Sequence, residues 1–152
     1  MDRRQVLAGS AAIATLVALP AAARAAVYED DGDPAAALRA IAAGRPITPG
    51  RVTLDMPELA ENGNVVTLTV SVESPMTADD YVKTIHIVAE KNPLANIARF
   101  HLGPRAGRAR VQTNVRLATT QTVNAVAELS NGTLWSATAT VLVTLSACLD
   151  GG

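Results

Sequence analysis

The chain has 152 residues, with 13 lysines and arginines against 14 aspartates and glutamates and a single cysteine. That balance excludes a surface that recruits nucleic acid or anionic membrane through net charge, and a lone cysteine excludes an internal disulfide. The length leaves room for one domain with its own core.

Residues 1–25 read as an export signal, to be set aside before fold reasoning. Asp2-Arg3-Arg4-Gln5 is a short basic start. Residues 6–19 form an alanine-rich apolar stretch, short of the roughly 20 residues a membrane span needs. Ala23-Arg24-Ala25 has the small-x-small form of a cleavage site. The run Arg3-Arg4-Gln5-Val6-Leu7 fits a twin-arginine signal, with Asp2 where serine or threonine is more usual. An ordinary secretory signal that holds two arginines is the alternative. Either route leads to an oxidising compartment, the periplasm for a bacterial chain. Cleavage after Ala25 leaves 127 residues with 10 basic and 13 acidic side chains. Neither nucleic acid nor, after processing, membrane is an expected partner.

Residues 26–50 hold one helix and a linker. Asp33 can cap the helix, Pro34 fits its first position, and Gly44 is a natural stop after 35–43. Leu38, Ile41 and Ala42 form its apolar stripe.

From residue 51 the pattern turns to period two, and residues 51–145 are expected to form one β domain. Val52 and Leu54 alternate with Thr53 and Asp55. Asn62-Gly63 signals a turn. Val66, Leu68, Val70 and Val72 then alternate with Thr67, Thr69 and Ser71, the clearest half-buried strand in the chain. Further strands are expected at 82–89, 98–102, 109–117 and 122–129, and Ser130-Asn131-Gly132 marks another turn. The last strand runs over 134–145, with Trp135, Ala137, Ala139, Val141, Val143 and Leu145 on one face. Short strands punctuated by Gly, Pro and Asn predict an all-β, immunoglobulin-like antiparallel β-sandwich with a short N-terminal helix and a C-terminal arm.

Residues 146–152 are that arm, and they carry Cys148. Such a cysteine pairs between chains, serves as a reactive thiol, or has no role. A thiol on a chain end can enter another protein's active site, which a core cysteine cannot. From Leu145 the cysteine is three Cα steps away, about 10 Å if extended, and all seven arm residues reach roughly 23 Å.

Nothing else carries chemistry on its own. His86 and His101 lack carboxylate or cysteine neighbours at metal-ligand spacing and read as packed or rim residues. Arg105, Arg108 and Arg110 read as a solvated loop, Asp79-Asp80 as a turn, and Asn131-Gly132-Thr133 as a chance sequon. There is no phosphate loop, nucleophile elbow or acid–base pair, and no metal or cofactor is called for. The pattern favours a carrier or binding module over an autonomous enzyme.

Several runs together resemble the SoxY family of periplasmic sulfur carriers. The likeness is densest in Gly50-Arg51-Val52-Thr53-Leu54-Asp55-Met56-Pro57-Glu58-Leu59-Ala60-Glu61-Asn62-Gly63-Asn64. It continues in Ser74-Pro75-Met76-Thr77, Ala89-Glu90-Lys91-Asn92-Pro93, Val115-Arg116-Leu117-Ala118 with Thr120-Gln121, and Ala125-Val126-Ala127-Glu128. The resemblance implies a heterodimer with a SoxZ-like subunit and an arm cysteine, here Cys148, that carries sulfur covalently during thiosulfate oxidation. It further implies transient visits to SoxAX for loading, SoxB for sulfate release and SoxCD for oxidation of the remaining sulfur. The family's arm is Gly-Gly-Cys-Gly-Gly. Here Ser146 and Ala147 precede the cysteine, Leu149 and Asp150 follow it, and the glycines are postponed to Gly151 and Gly152. Glycine gives an arm backbone freedom and a narrow profile, whereas Leu149 is bulky and the Asp150 carboxylate disfavours a thiolate. Three readings stay open: a covalent carrier, a non-catalytic structural partner of a SoxZ-like subunit, and a small-molecule binding sandwich.

Overall fold

The computed structural model describes residues 32–146. The expected export signal with Arg3 and Arg4, and the arm residues Ala147, Cys148, Leu149, Asp150, Gly151 and Gly152, lie outside the described residues.

The helix α1 (Pro34–Ala42) forms for the reasons its sequence gives. Asp33 accepts a hydrogen bond from the Ala35 amide at 2.9 Å, and Pro34 occupies the first turn. The left-handed C-cap falls on Ala43 (φ 47°), one residue before Gly44 (φ 81°), so the helix ends on a residue with a Cβ. Its buried face is Ala37 and Ile41, with Leu38 and Ala42 beside them, packed on Val88, Ala95, Val126 and Leu134. Ala37, absent from the expected stripe, is fully buried in this cluster. Burial of Ile41 contributes about 2 kcal/mol to this docking.

Nine strands follow: β1 (Ile47–Pro49), β2 (Val52–Asp55), β3 (Leu59–Asn62), β4 (Val66–Val72), β5 (Val82–Ala89), β6 (Asn96–His101), β7 (Ala109–Val115), β8 (Gln121–Leu129) and β9 (Leu134–Leu145). The larger sheet runs β1-β9-β8-β5-β6, and the smaller β2-β4-β7. Between them lies the core, where Val66, Leu68, Val70 and Val72 of β4 meet residues such as Ile85, Ile87, Val123, Ala125 and Val141. The alternation read in β4 is realised residue by residue: the four apolar side chains are buried, while Thr67 is exposed and Thr69 and Ser71 are half-buried.

The fold is the expected β-sandwich with one short helix, and it adds two short strands, β1 and β3. Both pair parallel with the same edge of β9, β1 at Leu134–Ser136 and β3 at Leu142–Leu145. Between these pairings the chain crosses to the smaller sheet as β2. Gly50 (φ 126°) and Arg51 (φ 57°) make the first crossing, with the Arg51 guanidinium 5.3 Å from the centre of the Trp135 ring. Exposed β9 edge that would invite pairing is thereby covered from within the chain. Along β9, Trp135, Ala137, Val141 and Val143 face the sandwich core as expected, whereas Leu134 packs under α1 and Leu145 is 60% exposed.

Candidate functional site, the root of the C-terminal arm

The end of β9 is held on both edges. On one side the Leu142 amide donates to the Glu58 carbonyl and the Gly63 amide to the Leu145 carbonyl, both at 2.8 Å. On the same side the Thr144 hydroxyl donates to the Glu61 carbonyl at 3.0 Å. On the other side the Val143 amide donates to Thr120 Oγ1 at 2.9 Å. The strand is fixed as far as Leu145, three residues before Cys148. Ser146, the first arm residue, is half-buried.

Aliphatic side chains stand exposed around this root. Leu59 and Leu142 are register partners across the parallel β3–β9 ladder, both 53% exposed. Leu145 closes the strand, and Val65 follows the Asn62-Gly63 turn at 62% exposure. Of the five large hydrophobic residues exposed among the described residues, these are four. The turn itself is set by Asn62, whose side-chain oxygen accepts from the Asn64 amide at 2.9 Å.

A buried polar brace sits behind Thr120. Gln121, 3% exposed, donates to Asn92 Oδ1 at 2.9 Å and to the Thr119 carbonyl at 3.1 Å, and accepts from the Lys91 amide at 2.9 Å. Asn92 in turn donates to the Arg116 carbonyl at 2.8 Å and accepts from the Ala118 amide at 2.9 Å. The loop before β8, which carries Thr120, is therefore tied to the loop after β5. The sequence holds both pairs of residues within separate runs; what it does not signal is that they meet, because isolated polar residues carry no periodicity.

The other sequence candidates lie elsewhere. His86 is buried on the helix-facing side of β5, beside a cavity of about 310 Å³ lined also by Ile41, Arg45, Arg99 and Glu128. Burial first, then the nearby Arg99, lowers its pKa to about 4, and its Nδ1 has no hydrogen-bond partner. His101 is exposed, with Nδ1 3.5 Å from the Thr84 hydroxyl. Arg105 and Arg108 are exposed in and beside a 3-10 turn (Pro104–Ala106), whereas Arg110, expected in the same loop, is exposed on β7 opposite Ser71. Asp79-Asp80 is the expected turn, closed by the Thr77 amide on the Asp80 carbonyl at 2.9 Å. Asn131 shapes its own turn by accepting from the Thr133 amide at 3.0 Å. Among the described residues no group of three or more His, Cys, Asp or Glu is placed to hold a metal ion.

A strand end pinned on both edges, ringed by exposed aliphatic side chains, is a rigid mount for a terminal segment. The class is thus a two-sheet β-sandwich whose last strand is held on both edges as far as Leu145. The family model described as "Sulfur oxidation protein SoxY" matches residues 38–148, and the chain belongs to this family. Among solved structures, the sulfur carrier protein SoxY from Chlorobium limicola f thiosulfatophilum is similar at 28% identity, over 72% of this chain and 96% of that one, with a TM-score of 0.56. A superoxide reductase (neelaredoxin) from Ignicoccus hospitalis has a TM-score of 0.57 at 18% identity, over 66% and 97% of the two chains. The superoxide reductase from Nanoarchaeum equitans has 0.53 at 12%, over 63% and 100%. At those identities the likeness shows the fold alone. Comparison with curated proteins gave no match.

Proposed function

We propose that the mature protein is a periplasmic carrier that holds sulfur-oxidation intermediates covalently on Cys148 during thiosulfate oxidation. The observation that carries this reading is the pinning of β9 to Leu145, three residues before the cysteine, in a chain of the SoxY family. A rigid mount with a short tail lets a partner enzyme grip the body and work on the thiol at the end. The protein itself is the substrate handle, not the catalyst. Loading joins the cysteine sulfur to the outer sulfur of thiosulfate. Thiolate plus thiosulfate gives a cysteine S-thiosulfonate and two electrons, which a SoxAX-type haem partner takes up. Hydrolysis by a SoxB-type enzyme adds water, releases sulfate and two protons, and leaves a persulfide for a SoxCD-type enzyme. A SoxZ-like subunit is the proposed standing partner.

The test is the intact mass of the protein after incubation with thiosulfate and the loading enzymes of its host. The natural chain gains a reductant-sensitive mass and Cys148→Ser gains none. No gain under conditions that load a standard SoxY–SoxZ pair would remove the carrier reading. The residues around Cys148 favour a second reading, a non-catalytic partner of a SoxZ-like subunit, because Ser146, Ala147, Leu149 and Asp150 stand where the family has glycine.

A further inference from the structure

Leu59, Val65, Leu142 and Leu145 are four of the five exposed large hydrophobic residues among the described residues, and all four stand at the end of β9. Single exposed aliphatic side chains are ordinary, but a concentration of them marks a contact surface. They do not share one face. Val141 and Val143 point into the sandwich, so Leu142 between them, with its register partner Leu59, stands on the outer face. Leu145 has the parity of Val141 and Val143 yet is exposed, so it lies past the end of the core on the inner side. Val65 stands beside it: the Val65 amide donates to the carbonyl of Asn62, the register partner of Leu145. A flat partner surface covers one face of a sheet edge. A protein that receives the strand end in an opening touches both.

Chain length points to the same kind of occupant. Cys148 is three Cα steps from Leu145, so whatever its path its Cα lies within about 10 Å of the clamped strand end. An enzyme that brings its reacting group to that sulfur must come as close, and the rim of its channel then falls on these four side chains. Hydrogen bonds from Leu142, Thr144 and Gly63 hold their backbone in place, so the surface is preformed. Four side chains are far fewer than the roughly 20–30 residues a side of a stable interface, which suits a brief visit and not a standing subunit. We propose that Leu59, Val65, Leu142 and Leu145 form a docking collar for the enzyme that loads Cys148, and that this enzyme carries a matching apolar rim around the mouth of its thiol channel. The collar supplies affinity through apolar burial, and the cysteine supplies the reacting atom. This inference rests on the carrier reading.

The test is the initial rate of reductant-sensitive mass gain against carrier concentration, with the mature chain, its SoxZ-like subunit, thiosulfate and the loading enzymes of its host. Leu59→Thr, Leu142→Thr and Leu145→Thr together should raise KM for the carrier about tenfold and leave kcat within about twofold, the mark of lost docking without lost chemistry. Threonine suits a strand, and thermal unfolding checks that the body is intact. Val65→Thr, which keeps its shape and lies outside the β9 ladder, should raise KM about twofold even if the triple variant unfolds. Leu94→Thr, the same loss of apolar surface outside the collar, should leave both constants unchanged. Equal KM in the natural and collar variants overturns the collar and leaves the carrier reading standing. An equal rise in Leu94→Thr also overturns it. A natural chain that gains no mass overturns both. Sedimentation separates the remaining occupants: self-association lost in the collar variants gives the surface to a second copy, and lost binding of the SoxZ-like subunit gives it to that partner. Either result overturns the proposal.

Discussion

Gln121 Nε2 donates to Asn92 Oδ1 at 2.9 Å, joining the first residue of β8 to the loop after β5, 29 residues away in the sequence. The pair is nearly sealed from solvent at Gln121, and it holds Thr120 where its hydroxyl can accept from the Val143 amide near the end of the last strand. A buried amide thus reaches the arm root through one neighbouring residue.

Gln121→Leu keeps most of the volume and removes three hydrogen bonds at once. The Lys91 amide and the Thr119 carbonyl lose that partner, while Asn92 Oδ1 keeps the Ala118 amide, and the expected loss of stability is about 2–3 kcal/mol. Urea unfolding measures it. The same variant should speed amide exchange at Val143 more than at the core of β4. A change below about 0.5 kcal/mol, the usual range of a neutral surface substitution, would mean the brace is not structural.

Ala43→Gly addresses the helix end. Ala43 sits at φ 47° with its Cβ in the left-handed region, exposed, while its amide donates to the Arg39 carbonyl at 3.0 Å. Glycine at that position relieves the steric cost and keeps the hydrogen bond, for an expected gain of about 0.5–1 kcal/mol after its larger unfolded-state entropy is counted. Thermal unfolding should rise by a few degrees, about 2–6 °C for a domain of this size. A lower Tm would show that the cap is not strained.

The body of the fold was legible from residue pattern, and the pieces that serve the arm root were not. The helix announced itself through Asp33, Pro34 and the apolar positions, and β4 and the later strands through alternation around turn residues. β1 and β3 have three and four residues and no alternation to read. They are strands because the edge of β9 recruits them, a long-range cause invisible in a local window. The same holds for the clamps on β9, which use the backbone of Glu58, Glu61 and Gly63 and the hydroxyl of Thr120. Leu134 shows the limit of a one-face reading, since β9 is covered by the smaller sheet on one side and by α1 on the other at its start.

His86 makes stability depend on pH. Its folded pKa is lowered from 6.5 to about 4, first by burial and then by Arg99, with His101 adding and Glu128 opposing. Between those values the unfolded chain binds a proton that the folded chain does not. The contribution is fully present above about pH 6.5 and is lost as pH falls towards 4, to the extent of about 2 kcal/mol after solvent screening. His86→Leu should flatten that part of the profile, whatever its effect at pH 7. Urea midpoints at several pH values for both chains decide it, and parallel profiles would assign the acid loss to carboxylates instead.

The export reading rests on Arg3-Arg4-Gln5-Val6-Leu7 ahead of a weakly apolar stretch. Replacing Arg3 and Arg4 together by lysine preserves charge and removes the guanidinium pair that a twin-arginine pathway reads. Precursor should then accumulate in the cytoplasm, seen as uncleaved mass in fractionated cells. Normal arrival of the double variant in the periplasm would favour the ordinary secretory route.

The arm decides between carrier and structural partner. If Cys148 enters a partner enzyme's channel, Ala147, Leu149 and Asp150 enter with it, where the family's arm has glycine. Ser146, Ala147, Leu149 and Asp150 can all be changed to glycine without touching the described core, because the last clamped residue is Leu145. If the natural protein carries sulfur, both chains gain reductant-sensitive mass on Cys148, and the glycine chain gains it at an equal or higher rate. The rate would rise because the flexible arm samples the bound geometry without side-chain obstruction. If the natural chain gains none while the glycine chain does, the body still docks and the arm alone has lost its role. That pattern would leave the sandwich as a partner for a SoxZ-like subunit. A slower glycine chain would instead mean that Leu149 and Asp150 are contacts for the loading enzyme, and that this arm is fitted to a channel of its own.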